Sequence, residues 1–568
     1  MPSFADYSGS RPGDPLGDTG DSLVGRIERA ATSGRRVTFV LGGDEVITDW
    51  GEVHREARGM AADLQGRGIR PGDHVALLSP TTRPLVAAIQ ATWLAGATLV
   101  VLPLPMRLGS IEEFIAQTRQ RIHHADARLV IVDPELAAFV TPEPDDPPMV
   151  PIGELAGDAE AWVRPPDDPE RLTILQFTSG STADPKGVML PDRAVCANLD
   201  GIAAAAALDP AVDVLVSWLP LYHDMGLVGL LTLPMSTGTP LVLGAPQDFT
   251  SRPSRWMEWI STYGGTATAG PNFSYVLATR ALKNGPELDL STLRVALNGA
   301  EPIDAANMED FLTAGERHGL QPGAVFPAFG MAEVSIGGTF PPPGRGMVTD
   351  SVDRRVLETE RYAAPVEPAT PGSCRFARLG TAIPGLEIRI VDPETGNVLR
   401  DREVGELEIQ GTSVTTGYYK RPDANADLFH DGWLRTGDLA YLIEGELVVC
   451  GRIKDVIIVG GRNVFPEDVE RAVGRVDGVR AGNVIAFGGV GARGREALVV
   501  VAETRADDVA DLRHRVAERV IEAVGVPARD IVLVAPGTLP KTSSGKLQRS
   551  LCKSRYDDGQ LELVDADV

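Results

Sequence analysis

Apolar residues recur at helical spacing over 53–64, and the Arg70-Pro71-Gly72-Asp73 tetrapeptide that follows is a turn signal. Residues 74–78 then read as a short buried strand, and 84–97 as a second helix ahead of the apolar run LVVLPLP. The alternation continues through the SWLPL run at Ser217 and the apolar segment 226–234 as far as Ala300. Strands and helices in that rhythm predict parallel sheets covered by helices.

The texture changes after Pro341. FPPPGRGMVTDS reads as loop, DRRVLETERY as a short charged helix and AAPVEPATPGS as loop again. From Arg378 the segments EIRIVD, GELEIQG and GELVVCG are short alternating strands divided by Gly, Asp and Pro, which predicts a small, largely antiparallel β unit. After Gly451 the βα rhythm resumes with VIIVGG, FPEDVERAVGR, NVIAFGG, ALVVVAE, a helix over 508–524 and IVLVAP. These fit one compact final domain of roughly 115 residues.

A chain of 568 residues predicts three to four folding units at about 150 residues each. Hydrophobic residues at 43% and charged residues at 23% mark a globular chain, not a disordered one. The net charge of −24 argues against a nucleic-acid coat or a polybasic membrane anchor, both of which need a basic face. From Gly451 onward 18 basic and 18 acidic residues cancel, so the whole deficit lies before it. Either two bodies with different partners or one solvated acidic face would produce that partition. Cys196, Cys374, Cys450 and Cys552 lack CxxC spacing and read as reduced thiols, not as a zinc site or disulfide frame. MPSFADYSGSRPGDPLGDTG has Asp, Gly and Pro where a signal peptide needs an apolar run, and no apolar stretch approaches the length of a membrane span. The expectation is a soluble, cytoplasmic protein that binds no nucleic acid and has no transmembrane segment.

The strongest chemical signal is Phe177-Thr178-Ser179-Gly180-Ser181-Thr182-Ala183-Asp184-Pro185-Lys186-Gly187-Val188, which follows the apolar LTILQF. Small residues let amides and hydroxyls close around phosphate oxygens while the lysine adds positive charge. It is not a Walker A loop, because Gly and not Ser or Thr follows Lys186. Any Ser/Gly/Thr stretch alone reads as a surface loop; a strand followed by hydroxyls, glycine and Lys-Gly reads as a phosphate loop. A second Lys-flanked glycine turn, PKTSSGKLQR at 540–549, places another cation source in the neutral final domain.

Both motifs resemble those of the acyl-adenylating superfamily of acyl-CoA synthetases, peptide-synthetase adenylation domains, luciferases and fatty acyl-AMP ligases. The resemblance runs from about Val46 to Tyr556, through WLPLYHDMGL (218–227), LNGAEP (297–302), PAFGMAE (327–333), GELEIQGTSVTTGYYKRP (405–422), GWLRTGDLA (432–440) and GRIKDVIIVGGRNVFPEDVE (451–470). YHDMGL with GPNFSY (270–275), the Gly461-Arg462-Asn463 triplet, and the long segment between Glu333 and Gly380 are more similar to fatty acyl-AMP ligases than to CoA ligases. Phe329 stands where many members have Tyr, and Leu221 where many of these ligases have Pro.

The fold implied is α/β. A large N-terminal domain over 1–453 would hold two parallel-sheet subdomains and a small β-barrel-like one, with a possible insertion at about 341–371. A small mobile C-terminal α/β domain would span 454–568. The reaction implied joins a fatty acid to ATP, giving acyl-AMP and pyrophosphate with Mg²⁺, and then transfers the acyl group to a thiol. By resemblance Thr178, Ser179, Gly180, Ser181, Thr182 and Lys186 hold the leaving phosphates. Gly299, Ala300, Glu301, Phe329, Gly330 and Met331 flank adenine, Asp438 accepts the ribose hydroxyls, and Arg452 meets ribose or phosphate oxygens. Glu333, with Thr182, holds Mg²⁺, a hard ion suited to oxygen donors. Lys546 is the catalytic cation and Lys454 the hinge, or else an exposed lysine in a turn. His223 either gates the carboxylate end of an acyl tunnel or is a packed core histidine. Met225, Leu227, Phe273 and Tyr275 either line that tunnel or form plain core. The acceptor implied is the phosphopantetheine of an acyl carrier protein or of a polyketide or nonribosomal-peptide synthase carrier domain. CoA is the alternative acceptor, and a non-catalytic adenylate-binding regulator the alternative of another kind.

Overall fold

The computed structural model describes residues 21–104, 111–140, 142–178, 186–459, 462–490, 496–506, 508–542 and 545–564. Residues 1–20, read as unlike a signal peptide, and the phosphate-loop residues 179–185 therefore lie outside the described residues. Two largely parallel sheets make up the main body. A six-stranded sheet runs in the order Met149–Pro151, Ala127–Val132, His74–Leu78, Thr98–Val101, Leu172–Phe177 and Gly187–Pro191, with only the last pairing antiparallel. A seven-stranded sheet runs Val325–Pro327, Val295–Asn298, Ala267–Gly270, Leu215–Ser217, Leu241–Gly244, Arg36–Leu41 and Asp44–Asp49, closed at its edge by the antiparallel Arg36–Asp49 hairpin. The helix expected over 53–64 is Trp50–Gly66, capped by the Asp49 carboxylate on the Glu52 amide. Residues 84–97 are helical as Arg83–Leu94, and 508–524 as Val509–Val524.

An antiparallel sheet of Leu386–Val391, Gly405–Gly411, Trp433–Ile443, Phe429–His430 and Glu446–Arg452 forms the curled half-barrel. Beyond it, Val479–Val490, Glu496–Thr504 and Asp530–Val534 build a three-stranded sheet. The helices Pro466–Val473 and Val509–Val524 contribute to the apolar cluster on this sheet, which is separate from that of the main body. Among the described residues no helix is long and apolar enough to cross a membrane.

Two segments depart from the pattern reading. Residues 226–234 do not alternate as a strand and helix would; Met225–Thr232 is a wide π-helical stretch whose end closes with the Leu233 amide on Val228 O. It is apolar on nearly every side because it is buried on nearly every side. Gly226 lets it begin there, since a Cβ would come 2.3 Å from Pro220 O. Residues 349–353 and 373–377 are paired strands flanking the helix Arg354–Glu360, where the pattern predicts loop at 349–351 and 373 and the start of a helix at 353. They lack a local turn signal because they meet across that helix. Val352, Leu357, Phe376, Tyr441, Cys450 and Phe465 then join this excursion to the half-barrel and to the start of the C-terminal domain.

Inside the C-terminal domain the fully buried Glu503 accepts the amides of Gly537 at 2.8 Å and Leu539 at 3.2 Å and pairs with Arg480 at 2.7 Å. That carboxylate fixes the approach to the turn carrying Lys546. Glu503→Ala is expected to lower the unfolding free energy by about 2–4 kcal/mol, since two amides lose their acceptor; denaturant titration measures it, and Glu503→Gln should recover part of the loss.

Candidate functional site

The carboxyl ends of the parallel strands, the half-barrel and the C-terminal domain enclose a cavity of about 2400 Å³. Ligand crevices in open α/β sheets lie at those strand ends. Here Leu172–Phe177 leads to Thr178, Leu215–Ser217 to His223, Ala267–Gly270 to Phe273, Val295–Asn298 to Gly299-Ala300-Glu301, and Val325–Pro327 to Phe329.

Thr178 and Lys186 close the base of the hydroxyl loop, the Thr178 amide donating to Lys186 O at 3.0 Å. Ser179, Gly180, Ser181 and Thr182 lie outside the described residues. The Lys186 ammonium sits 4.5 Å from the centre of the Tyr418 ring. Tyr418 in turn donates its hydroxyl to Glu333 Oε1 at 2.7 Å. Burial pushes the Glu333 carboxyl above its ordinary range, while the Tyr418 hydroxyl works to lower it. Tyr418 was missed as a site residue; its position in GYYKRP was the available signal, but nothing in the sequence pairs it with Glu333.

Ala300 is held at φ 69°, a left-handed conformation uncommon outside glycine. Gly330 is required by close packing, since a Cβ there would come 2.0 Å from Ile336 O. Gly299, Ala300, Phe329 and Met331 line the same wall. Glu301 lines it too, but its carboxylate accepts the Phe273 amide at 2.9 Å at the start of helix Asn272–Asn284. Asp438 and Arg452 face each other across adjacent strands, joined Nε to Oδ1 at 2.8 Å. Burial raises the Asp438 carboxyl against the pull of Arg452. Lys454 follows in the turn Ile453–Asp455, its ammonium depressed by burial and by the Arg452 and Lys186 charges.

Lys546 enters from the C-terminal domain on a turn closed by the Thr542 amide on Lys546 O at 2.8 Å and the Lys546 amide on Thr542 Oγ1 at 3.0 Å. Its Nζ stands 3.4 Å from His223 Nε2. Burial lowers the ammonium's pKa while the Asp224 and Glu301 carboxylates oppose that shift. His223 is therefore not a packed core residue; it meets the cavity and the incoming lysine. Met225 and Phe273 line the cavity, and Ile202, Leu208, Leu230, Leu277 and Phe340 belong to its apolar lining. Leu227 and Tyr275 do not line it. Leu227 is fully buried in the core, and Tyr275 packs on Trp256 and Phe311 with its hydroxyl on Leu297 O at 2.8 Å.

The 341–371 region touches the C-terminal domain through charge. Glu358 pairs with Arg462 and accepts Asn463 Nδ2 on its carbonyl at 3.0 Å, and Arg354 pairs with Asp468. Arg475 reaches Asp304 of the main body at 3.1 Å.

An AMP-binding enzyme family model matches residues 27–419. A Mycobacterium tuberculosis protein named only as a ligase is 41% identical over 88% of this chain and 93% of its own length. A medium-chain-fatty-acid–[acyl-carrier-protein] ligase of Moorena producens is 30% identical, covering 94% of each chain. A solved structure from work on fatty acyl-adenylate ligases of E. coli and L. pneumophila superimposes with a TM-score of 0.88 at 32% identity, covering 97% of this chain and 99% of its own.

Tyr418→Phe removes the hydroxyl donor from a buried carboxylate and should cost about 1–3 kcal/mol of stability. Because Glu333 already has a raised pKa, its contribution to stability falls as pH rises through that value, and the variant should raise it further. The stability loss in denaturant titrations should therefore be larger at pH 8 than at pH 5; a loss independent of pH would remove Glu333 as its cause.

Proposed function

The chain belongs to the AMP-binding enzyme family and is an AMP-forming acid ligase, and from that premise we propose that it converts a fatty acid to acyl-AMP and passes the acyl group to the phosphopantetheine thiol of an acyl carrier protein. The observation that carries this reading is the position of Lys546 beside His223, with Gly545 lying against Phe273 in the lining of the same cavity.

Joining a carboxylate to a triphosphate brings two anions together, so the chain's work is to supply fixed positive charge in a site poor in water. Lys546 has three N–H donors. With one directed at His223, two remain for the substrate carboxylate and the α-phosphate. Lys186 and the hydroxyl loop would receive the departing pyrophosphate, and Asp438 and Arg452 would hold the ribose side. The Gly299–Glu301 and Phe329–Met331 segments would flank the base. Glu333 suits Mg²⁺: it is a buried hard-oxygen donor steadied by Tyr418. Among the described residues no cluster of three His, Cys, Asp or Glu side chains forms a cage, as fits an ion held chiefly by phosphates and one carboxylate. Bound there, Mg²⁺ would neutralise phosphate charge.

For the second step we take 454–568 to be the domain that turns about Lys454, withdrawing Lys546 so that a thiol can enter. The Glu358–Arg462 and Arg354–Asp468 pairs oppose that turn. They favour a carrier protein as acceptor, because a ligand shifts such an equilibrium only by its differential affinity for the two arrangements. A docked protein offers far more contact than CoA.

Lys546→Ala should retain ATP binding and lose pyrophosphate release by on the order of 10²–10³-fold; near-normal release would sink its assignment. The acceptor is tested by giving the purified protein ATP, Mg²⁺ and mixed fatty acids, then CoA or a holo acyl carrier protein, with products read by mass spectrometry. Carrier loading is expected, and efficient acyl-CoA synthesis would instead make it a CoA ligase. Shortening residues 341–371, or combining Arg354→Ala with Glu358→Ala, should raise acyl-CoA formation; an unchanged rate would remove the restraining role of those pairs.

A further inference from the structure

His223 is held from both sides. Its Nδ1 lies 2.6 Å from Asp224 Oδ1, and its Nε2 faces Lys546 Nζ at 3.4 Å. The Met225 amide lies 2.7 Å from the same Asp224 oxygen and 3.3 Å from Nδ1. The shorter contact assigns the amide proton to the carboxylate and leaves Nδ1 as a donor. Burial works to raise the Asp224 carboxyl, but His223 and then Lys546 more than offset it, so that carboxyl stays below its usual range. An anionic acceptor at Nδ1 fixes the neutral imidazole tautomer whose lone pair is on Nε2. That lone pair points at the ammonium.

We propose that His223, oriented by Asp224, is the general base of the thiol-transfer step, and that Lys546 covers its lone pair until the C-terminal domain withdraws. This rests on the reading of the protein as an enzyme that passes its acyl group to a thiol. In adenylation Lys546 meets the reacting carboxylate, so the acyl carbonyl carbon of acyl-AMP forms within reach of Nζ. A sulfur entering the volume that Nζ leaves lies at roughly hydrogen-bond distance, about 3–3.5 Å, from Nε2. The S–H proton passes to Nε2 as the sulfur lone pair forms the C–S bond. The C–O bond to the AMP phosphate breaks and AMP leaves as its anion. The imidazolium, stabilised by Asp224, then returns its proton to solvent. A thiol with a pKa of about 8.5 is mostly protonated at pH 7, so a base is what the nucleophile lacks. One lone pair cannot serve the ammonium and the thiol together, and the two half-reactions exclude each other in chemistry as well as in space. Asp224 is a positioning residue, acting through the ring. The charged groups around the pair are Lys546 from the C-terminal domain, Glu301 beyond it, and Glu333 and Arg452 of the cavity wall.

The test bypasses adenylation. Synthetic acyl-AMP is supplied to the wild-type protein, His223→Ala and Asp224→Asn, and single-turnover transfer to a holo acyl carrier protein and to CoA is followed across pH. The denaturant midpoint serves as the check on folding and should stay close to that of the wild-type protein. Transfer by His223→Ala should fall by about 10²–10⁴-fold at pH 7, with a substantial loss in Asp224→Asn. The residual rate in His223→Ala should climb about tenfold per pH unit up to the thiol's own pKa, because only thiolate already present reacts. Transfer by both variants within threefold of wild type overturns the inference, as does a loss that keeps the wild-type pH profile. Wild-type protein that transfers to neither thiol overturns the reading of thiol transfer itself, and the general base with it.

Discussion

A lysine ammonium held away from water is the constraint on which the rest of the site depends. Lys546 is disfavoured by burial and tolerated because Asp224 and Glu301 supply opposite charge nearby. Those two carboxylates stand on the main body and the ammonium on the C-terminal domain. The docked arrangement is thus stabilised inside the cavity. The turn carrying the lysine is stiffened within its own domain by Thr542 and, further back, by Glu503. Moving that lysine out of the cavity would leave negative charge behind, which would favour either its return or the arrival of another proton donor.

The neutral final domain is not poor in charge; its charges are engaged. Arg549 reaches Asp455, Glu467 and Glu470 inside that domain, while Arg462 and Asp468 turn outward to Glu358 and Arg354 of the main body. The partition of charge at Gly451 therefore coincides with a mixture of internal pairs and pairs that cross between the two bodies. Net charge alone cannot separate these, because it counts ions and not partners.

Much of the architecture was legible because periodicity is a local signal. The helix Trp50–Gly66 and the strand His74–Leu78 follow from the spacing of a few neighbouring side chains. The pairing of Thr349–Asp353 with Ser373–Ala377 is set across an intervening helix, so loop-like composition masked it. The wide turn of Met225–Thr232 was hidden for another reason: an apolar run buried on all sides has no periodicity to read. At the site the same division holds. Lys186, Glu333, Asp438, Arg452 and Lys546 stand in motifs and were named from them. Tyr418 and Asp224 lie within quoted motifs, yet their roles depend on contacts with Glu333 and His223 that only the folded chain makes. The sequence leaves Tyr275, together with Phe273, between acyl wall and plain core, but two residues along a helix face different ways, and its side chain belongs to the core.

The Glu301 carboxylate joins two walls that would otherwise be independent. It belongs to the loop at the end of Val295–Asn298, and it holds the first turn of the helix Asn272–Asn284 through the Phe273 amide at 2.9 Å. A ligand that presses on Phe273 or Leu277 strains that bond, and a ligand that reseats the loop strains it from the other end. Displacing Phe273 and displacing the loop would therefore be coupled through one bond, equally in both directions by linkage.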